Sequence, residues 1–274
     1  VGGNAELARV ERLGDEIVVS ADEPFDLRRL DIYPSEIGAD RMLTALHDAV
    51  LTQSTDRKDV LFGRREPEFR SVSETFIDNN ATQNEAVQLA VGAEDVALIH
   101  GPPGTGKTYT LGQLVRALVA RGDRVLLSAF TNRAVDNAME ALEEQGFTDM
   151  VRVGTESGVR GDMQSYRLQT AGEPGECVQE LRGANVVAAT TASCGSRVMR
   201  EQEFDVAVVD EAGQLTEPGT LAATALANRS VLVGDHHQLP PVVQAQEEIA
   251  GDKRCATLGE SLFQRLIEAY PNAS

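Results

Sequence analysis

The eight residues Gly101–Thr108 constrain the fold of this chain more than any other part of its sequence. They read G-P-P-G-T-G-K-T and satisfy every fixed position of the phosphate-binding pattern G-x-x-x-x-G-K-[ST]. The apolar run Val96–His100 before them predicts a buried strand, and leucine and valine recur at helical spacing after them. Such a turn directs backbone N–H groups and a helix N-terminus at anionic oxygens, so the segment predicts a polyphosphate cradle. The alternative is a chance glycine-rich turn, which would not need both flanking elements.

The side chains of this loop have separate predicted tasks. The Lys107 ammonium would hold the β- and γ-phosphates of a nucleoside triphosphate, and the Thr108 hydroxyl would ligate Mg²⁺. The remaining positions would surround the phosphates. The residues expected to contact the nucleotide are Gly101, Pro102, Pro103, Gly104, Thr105, Gly106, Lys107, Thr108 and Tyr109.

Short apolar segments alternate with amphipathic segments through residues 76–274. The candidate strands are Val96–Ile99, Arg124–Ser128, Met150–Val153, Val186–Thr190, Val206–Val209 and Ser230–Val233. Segments between them, such as Arg133–Gln145, show the apolar spacing of helices. This alternation predicts an α/β fold with a mainly parallel sheet and helices on both faces. The polar, glycine-rich segment Gly154–Glu176 is interpreted as a long surface loop.

Residues 1–75 follow a different pattern. Apolar and polar residues alternate in Ala8–Val19 around Gly14-Asp15, which predicts a β-hairpin. Glu36–Leu51 has the apolar spacing of an amphipathic helix. We therefore interpret residues 1–75 as a partial barrel or stalk subdomain and residues 76–274 as the nucleotide-binding α/β domain.

The composition is strongly acidic, with a formal net charge of −18 and only three lysines, Lys58, Lys107 and Lys253. Few lysines among many carboxylates are typical of proteins from salt-loving microbes, and a merely acidic mesophilic protein is the alternative. The three cysteines show neither C-x-x-C spacing nor a secretory context, which favours a reducing, cytoplasmic location. No apolar run approaches the roughly 18 residues of a membrane span, so no membrane partner is expected. Because the chain begins at Val1 without a methionine, we expect it to be part of a longer protein.

An acidic pair follows another candidate strand. The apolar run ending at Val209 leads directly into Asp210-Glu211. A carboxylate at the end of a strand beside the phosphate loop is the expected second ligand of Mg²⁺, which assigns that role to Asp210. Glu211 would orient and deprotonate the attacking water. The alternative is a solvated acidic pair at a strand end.

A third polar turn, Gly234–Pro241, follows the last candidate strand and reads G-D-H-H-Q-L-P-P. The amide of Gln238 would sense the γ-phosphate, which makes Lys107, Glu211 and Gln238 the predicted catalytic residues. The paired His236 and His237 could ligate a metal, but no Cys/His cluster accompanies them in the sequence, so a metal site is disfavoured here.

Three ordered segments together resemble motifs I, II and III of superfamily 1 helicases. They are Gly101–Thr108, Asp210-Glu211-Ala212-Gly213-Gln214 and Gly234–Pro241. The details are most similar to the branch that contains lagging-strand helicase–nucleases and nonsense-mediated-decay RNA helicases. The resemblance implies a RecA-like motor domain of the P-loop NTPase class. It also assigns adenine recognition, and hence ATP, to Gln83, although Thr82 and Glu85 could simply form a capping box there.

Two further segments resemble the strand-contacting motifs of these helicases. Ser128–Asp136 is similar to motif Ia, and Thr190–Ser193 is similar to a second such motif. The alternative for both is ordinary helix capping. The residues that the resemblance assigns to nucleic acid are Phe130, Thr131, Asn132, Thr190 and Thr191.

The resemblance implies ATP-driven 5′→3′ translocation on single-stranded DNA or RNA. The arginine-bearing second RecA-like domain, motifs IV to VI, is not found before Ser274, so the remainder of the polypeptide is an expected partner, with a nuclease domain as a further candidate. We therefore expect slow turnover from this segment alone. Two alternatives stay open: a nucleotide-gated binding or remodelling module without unwinding, and a small-molecule kinase, which would have no role for Gln83.

Overall fold

The structure is a computed structural model and describes residues 9–12, 18–20, 43–44, 47, 55–169, 174–241 and 259–271. The chain divides into two compact units, residues 1–36 and residues 37–274. In the first unit, β1 (Arg9–Arg12) pairs antiparallel with β2 (Val18–Ser20). This pairing confirms the two strands of the predicted hairpin, whose turn at Gly14-Asp15 lies outside the described residues.

The second unit begins N-terminal of the predicted boundary at residue 75. In the predicted helix Glu36–Leu51, the described residues 43, 44 and 47 are helical and the others lie outside the description. Helix α1 (Thr55–Leu61) packs on the α/β body, because the Tyr270 hydroxyl donates to the Val60 carbonyl at 3.0 Å. Interpreting residues 1–75 as a stalk remains a prediction, since much of that segment is not described.

The body consists of a six-stranded sheet and its helices. In chain order the elements are α2 (Ala81–Gly92), β3 (Val96–His100), α3 (Lys107–Ala120), β4 (Val125–Ala129), α4 (Asn132–Glu144), β5 (Met150–Val153), a 3₁₀ helix (Gly161–Tyr166), α5 (Pro174–Gly183), β6 (Val186–Thr190), α6 (Thr191–Cys194), α7 (Arg197–Arg200), β7 (Phe204–Val209), a 3₁₀ helix (Ala212–Gln214), α8 (Glu217–Thr224), β8 (Ala227–Gly234) and α9 (Leu262–Ala269).

All pairs in this sheet are parallel, in the order β3-β8-β7-β4-β6-β5. Successive residues of a strand point to opposite faces, and both faces are covered. In β3, Ala97 and Ile99 belong to one apolar cluster, while Val96 and Leu98 belong to another. The first cluster includes α3 and α4, and the second includes α9. The predicted strands and the predicted α/β fold are therefore confirmed.

The parallel arrangement places the carboxyl ends of all these strands at one edge. The phosphate loop follows β3, Asp210 follows β7 and Asp235 follows β8. Because β3 pairs with β8 and β8 pairs with β7, these three segments are neighbours at that edge. Ligands of open α/β sheets bind at this edge, so the topology alone assembles the predicted site.

The prediction of a long surface loop at Gly154–Glu176 is wrong for its described first half. Val159, Met163 and Leu168 are buried, and a 3₁₀ helix occupies Gly161–Tyr166. These apolar residues are widely spaced among polar ones, so the sequence shows neither the apolar spacing of a helix nor that of a strand. In the described part of the chain, no helix is long and apolar enough to cross a membrane.

Candidate nucleotide-binding site

The phosphate loop has the backbone conformation that its glycines allow. Gly104 and Gly106 have φ angles of 79° and 78°, in the left-handed region. The loop also lies against α2, because the Gln83 Nε2 donates to the Thr105 carbonyl at 2.7 Å. A Cβ atom at Gly106 would lie 2.7 Å from that same Nε2. The backbone angle thus favours glycine at position 106, and a Cβ there would displace the Gln83 amide from its position against the loop.

The Lys107 side chain folds back over the loop. Its ammonium donates to the Gly101 carbonyl and, at 3.1 Å, to the Pro102 carbonyl. Helix α3 begins at Lys107, and the first N–H groups of any helix have no intrahelical acceptor. Phosphate oxygens would therefore meet both an ammonium group and the positive end of a helix here.

A cleft of about 290 Å³ opens beside the loop. It brings together six residues predicted from the sequence: Pro103, Lys107, Thr108, Asp210, Glu211 and Gln238. Its remaining lining residues are Gly213, Gln214, Gly234 and Asp235. Of the other predicted nucleotide contacts, Gln83 reaches the loop through Thr105, and Tyr109 is exposed on the first turn of α3.

The acidic pair after β7 is partly removed from solvent. The Glu211 N–H donates to the Asp210 Oδ1 at 2.9 Å. Burial raises the pKa of Asp210, against the opposing effects of this hydrogen bond and of Lys107. Burial and the neighbouring Asp210 charge raise the pKa of Glu211. A buried carboxylate is stabilised by a cation, and a carboxylate with a raised pKa is a better base.

Glu211 also has an unusual backbone. Its φ is 54°, which makes it the one non-glycine residue with a positive φ in the described part of the chain. Such a conformation costs on the order of 1–3 kcal/mol and is concentrated at functional sites. Glu211 has this conformation at the start of the 3₁₀ helix Ala212–Gln214, just after β7.

Asp235 organises the third segment, a role that the sequence interpretation missed. Its carboxylate accepts from the His237 N–H at 3.0 Å and from the Gln238 Nε2 at 3.2 Å, and it lies 3.2 Å from the His100 Nε2. Burial acts to raise the pKa of Asp235, but these hydrogen bonds lower it to about 2. The position of Asp235 immediately after strand β8 is the sequence feature that could have indicated this role.

Three histidine rings meet at this point. The His236 ring centroid lies 4.7 Å from that of His100 and 3.9 Å from that of His237. Burial, together with the neighbouring His237 and His100, lowers the pKa of His236. The expectation that no cluster accompanies His236 and His237 is therefore wrong, because His100 and Asp235 lie beside them. His100 comes from another strand, and the pairing of His100 with Gly234 brings it alongside.

The residues predicted to contact nucleic acid fall into two groups. Phe130 is 45% exposed, and Thr131 caps α4 by accepting from the Ala134 N–H at 3.1 Å. Thr190 and Thr191 are buried, and Thr190 caps α6 by accepting from the Ser193 N–H at 3.2 Å. Capping by both threonines matches the alternative considered for these motifs. Burial disfavours the Thr190 and Thr191 side chains as strand contacts.

Comparison with known proteins agrees with this geometry. The family model described as "AAA domain" matches residues 78–174 and 175–246. The chain is 38% identical over 203 residues to the DNA replication ATP-dependent helicase/nuclease JHS1 of Arabidopsis thaliana, covering 73% of this chain and 15% of that protein. It is 32% identical over 229 residues to the DNA replication ATP-dependent helicase/nuclease DNA2 of Saccharomyces cerevisiae, covering 79% of this chain and 15% of that protein.

A third relative is named as a helicase only. The DNA polymerase alpha-associated DNA helicase A of Schizosaccharomyces pombe is 29% identical over 239 residues, covering 69% of this chain and 34% of that protein. The chain thus spans about a seventh to a third of the length of these relatives. These matches agree with the three strand-end segments around one cleft. The chain belongs to the AAA domain family, within the superfamily 1 helicase group that includes the DNA2-type helicase/nucleases.

Proposed function

We propose that this chain is the first motor domain of an ATP-dependent helicase that translocates 5′→3′ on single-stranded DNA. The observation that carries the proposal is the convergence of Lys107, Thr108, Asp210, Glu211 and Gln238 on one cleft from the ends of β3, β7 and β8. The relatives named above support DNA rather than RNA, because two of them are DNA replication helicase/nucleases and the third is a DNA helicase.

Each side chain in the cleft has a distinct task in this proposal. Lys107 exchanges its loop carbonyls for the β- and γ-phosphate oxygens of ATP. Glu211 accepts the proton of the attacking water, and Gln238, held by Asp235, contacts the γ-phosphate. Gln83 on α2 lies against the loop through its bond to Thr105, and there it would recognise the adenine edge.

The residues present suit Mg²⁺. The Thr108 hydroxyl and the Asp210 carboxylate both line the cleft, and both are the hard oxygen ligands that Mg²⁺ prefers. When bound, Mg²⁺ would neutralise charge on the β- and γ-phosphate oxygens. Burial of Asp210, which raises its pKa, is the kind of electrostatic cost that a bound cation offsets.

The contact with single-stranded DNA is proposed at the carboxyl end of β4. Phe130 is exposed there and offers a stacking surface for a base, while Thr131 and Asn132 begin α4. A second RecA-like domain, and a nuclease domain in the same polypeptide, are proposed partners because the relatives are much longer than this chain. The acidic, lysine-poor composition leads us to propose adaptation to high salt, and the cysteine pattern leads us to propose a cytoplasmic location.

The nucleotide site is tested by the affinity for a fluorescent ATP analogue in the presence of Mg²⁺. Lys107→Ala should abolish measurable binding, because it removes the ammonium that contacts the phosphates. Lys58→Ala removes a lysine from α1, outside the cleft lining, and should leave the affinity unchanged. Equal affinity of the Lys107→Ala variant and the wild-type chain would overturn the assignment of this loop.

Unwinding is tested separately, in the full-length protein that contains this segment. Strand displacement from a duplex with a 5′ single-stranded tail, driven by ATP, is the expected result. ATP-dependent release or binding of the single strand without displacement would instead support a binding or remodelling module.

A further inference from the structure

We propose that His100, Asp235, His236 and His237 form a binding site for a transition-metal ion, with Zn²⁺ as the ion that suits this donor set. Each residue offers one ligand atom, and these four atoms all lie within 4.8 Å of one another. The site shares Asp235 with the rim of the nucleotide cleft but is distinct from the Thr108 and Asp210 oxygens proposed for Mg²⁺.

The sheet topology builds this cluster from two distant segments. His100 is the last residue of β3, and Asp235, His236 and His237 directly follow β8. His100 pairs in register with Gly234, so the donors of both segments extend from adjacent parallel strands. His100 lies on a buried strand, and the hydrogen bond from the His237 N–H to Asp235 restrains the turn that carries the other three donors, which favours a defined coordination geometry.

The distances approach those of a tetrahedral metal site. With Zn–N bonds of 2.0–2.1 Å, neighbouring ligand atoms in a tetrahedron lie about 3.3 Å apart. The His100 Nε2 lies 3.2 Å from the Asp235 Oδ1, and the His237 Nδ1 lies 3.5 Å from the same oxygen. No two of the four ligand atoms lie more than 4.8 Å apart, and the His237 side chain, which is 71% exposed, can rotate toward the other three.

A second observation at the same place concerns the His236 ring. The His236 Nδ1 is buried and has no hydrogen-bond partner among the described residues. Buried polar atoms are normally paired, so an orphaned imidazole nitrogen between two other imidazoles needs an explanation. Three imidazoles and one carboxylate are a donor set that suits Zn²⁺, whereas Mg²⁺ prefers oxygen ligands alone.

The competing explanation is a hydrogen-bonded turn that Asp235 alone organises. That explanation accounts for the hydrogen bonds from the His237 N–H and the Gln238 Nε2. It does not account for three imidazole rings or for the orphaned His236 nitrogen. A metal on the Asp235 Oδ1 would leave the Oδ2 bonded to Gln238, so occupancy of the site would fix the residue that is proposed to contact the γ-phosphate.

The test is a calorimetric titration of the metal-free chain with Zn²⁺, without nucleotide. We expect one equivalent of Zn²⁺ to bind. His100→Gln and His237→Gln should each weaken binding by about 10–100-fold or more, because removal of a group that only hydrogen-bonds to a metal ligand already has an effect of that size. His47→Gln is the matched control, because it removes the fourth histidine of the chain, outside the cluster. Circular dichroism of the metal-free variants should match the wild-type chain.

Two outcomes would overturn the proposal. One is the absence of stoichiometric Zn²⁺ binding by the wild-type chain, which would leave a hydrogen-bonded turn only. The other is equal binding by the wild-type chain and a His100→Gln/His237→Gln double variant, which would place the metal elsewhere. Co²⁺ added in place of Zn²⁺ should give the visible absorption of tetrahedral coordination, and that absorption should be lost in the double variant. Lys107→Ala should keep the Zn²⁺ site, so a failure of the nucleotide site would not affect this result.

Discussion

The guanidinium of Arg152 and the carboxylate of Asp136 form a buried ion pair, with the Arg152 Nε donating to the Asp136 Oδ1 at 2.8 Å. The two side chains are 0% and 2% exposed. Arg152 also donates to the Asn132 Oδ1 at 2.8 Å, and the Arg160 N–H donates to the Asp136 Oδ2 at 2.9 Å. The pair therefore joins the start of α4, where contact with the single strand is proposed, to β5 and the segment that follows it.

Asp136→Asn should destabilise the domain by about 3–5 kcal/mol, because it leaves the Arg152 charge buried without its partner. Urea unfolding followed by circular dichroism measures this change. The control is Glu201→Gln, which breaks an exposed pair with Arg197 whose side chains are 51% and 96% exposed, and it should cost about 1 kcal/mol or less. Similar losses in both variants would contradict the importance of burial here.

The parts of the site that the sequence predicted are those with a local pattern. Gly101–Thr108 lies between a strand and a helix, and each nucleotide-site segment follows an apolar run, so adjacency at one sheet edge could be inferred from parallel strands alone. The pairing of β3 with β8 could not be inferred from the sequence, because strand order depends on packing across the whole sheet. His100 was missed as a neighbour of His236 for that reason.

The buried ion pair was missed for a related reason. Arg152 occupies a strand position whose burial the sequence does not reveal, since arginine is mostly exposed in folded proteins. Its partners Asp136 and Asn132 lie on a different element, and no local spacing links them. Asp136 also accepts from the Arg160 N–H, and this bond, with the buried Val159 and Met163, packs the described first half of Gly154–Glu176 into the domain.

Gly106→Ala should weaken binding of Mg·ATP for two reasons. The alanine would have to adopt a left-handed backbone conformation, and its Cβ would lie 2.7 Å from the Gln83 Nε2. Gly122→Ala is a matched control. Gly122 also has a positive φ, 90°, but a Cβ there meets nothing within 4 Å, so the variant should cost about 1–2 kcal/mol of stability and leave nucleotide affinity unchanged. Fluorescent nucleotide titration and urea unfolding separate the two effects. Equal nucleotide affinities for both alanine variants would contradict the predicted need for glycine at position 106 in nucleotide binding.

Glu211→Gln should lower the ATP hydrolysis rate by about 10²–10⁴-fold, the usual contribution of a general base. Burial and the Asp210 charge raise the pKa of Glu211, so the ionised base is lost at a higher pH than for an ordinary glutamate. The wild-type rate, measured with saturating single-stranded DNA, should therefore fall with a midpoint above about pH 4.3. Glu201→Gln, at an exposed glutamate, should change neither the rate nor the midpoint. A Glu211→Gln variant with the wild-type rate would exclude Glu211 as the base.

Asp235 should make stability depend on acidity in a defined range. The folded-state pKa of Asp235, about 2, lies below the ordinary value of about 3.9. The ionised carboxylate therefore contributes fully to the free energy of unfolding above about pH 4, and this contribution is lost as the pH falls through the folded-state pKa. Asp235→Asn should be less stable than the wild-type chain at neutral pH, and the difference should shrink between about pH 4 and pH 2. Urea unfolding of both proteins across this range measures it, with Asp78→Asn, at an exposed position before α2, as the control that follows the wild-type curve. A difference between Asp235→Asn and wild type that stays constant down to pH 2 would mean that the hydrogen bonds from His100, His237 and Gln238 do not depend on the Asp235 charge.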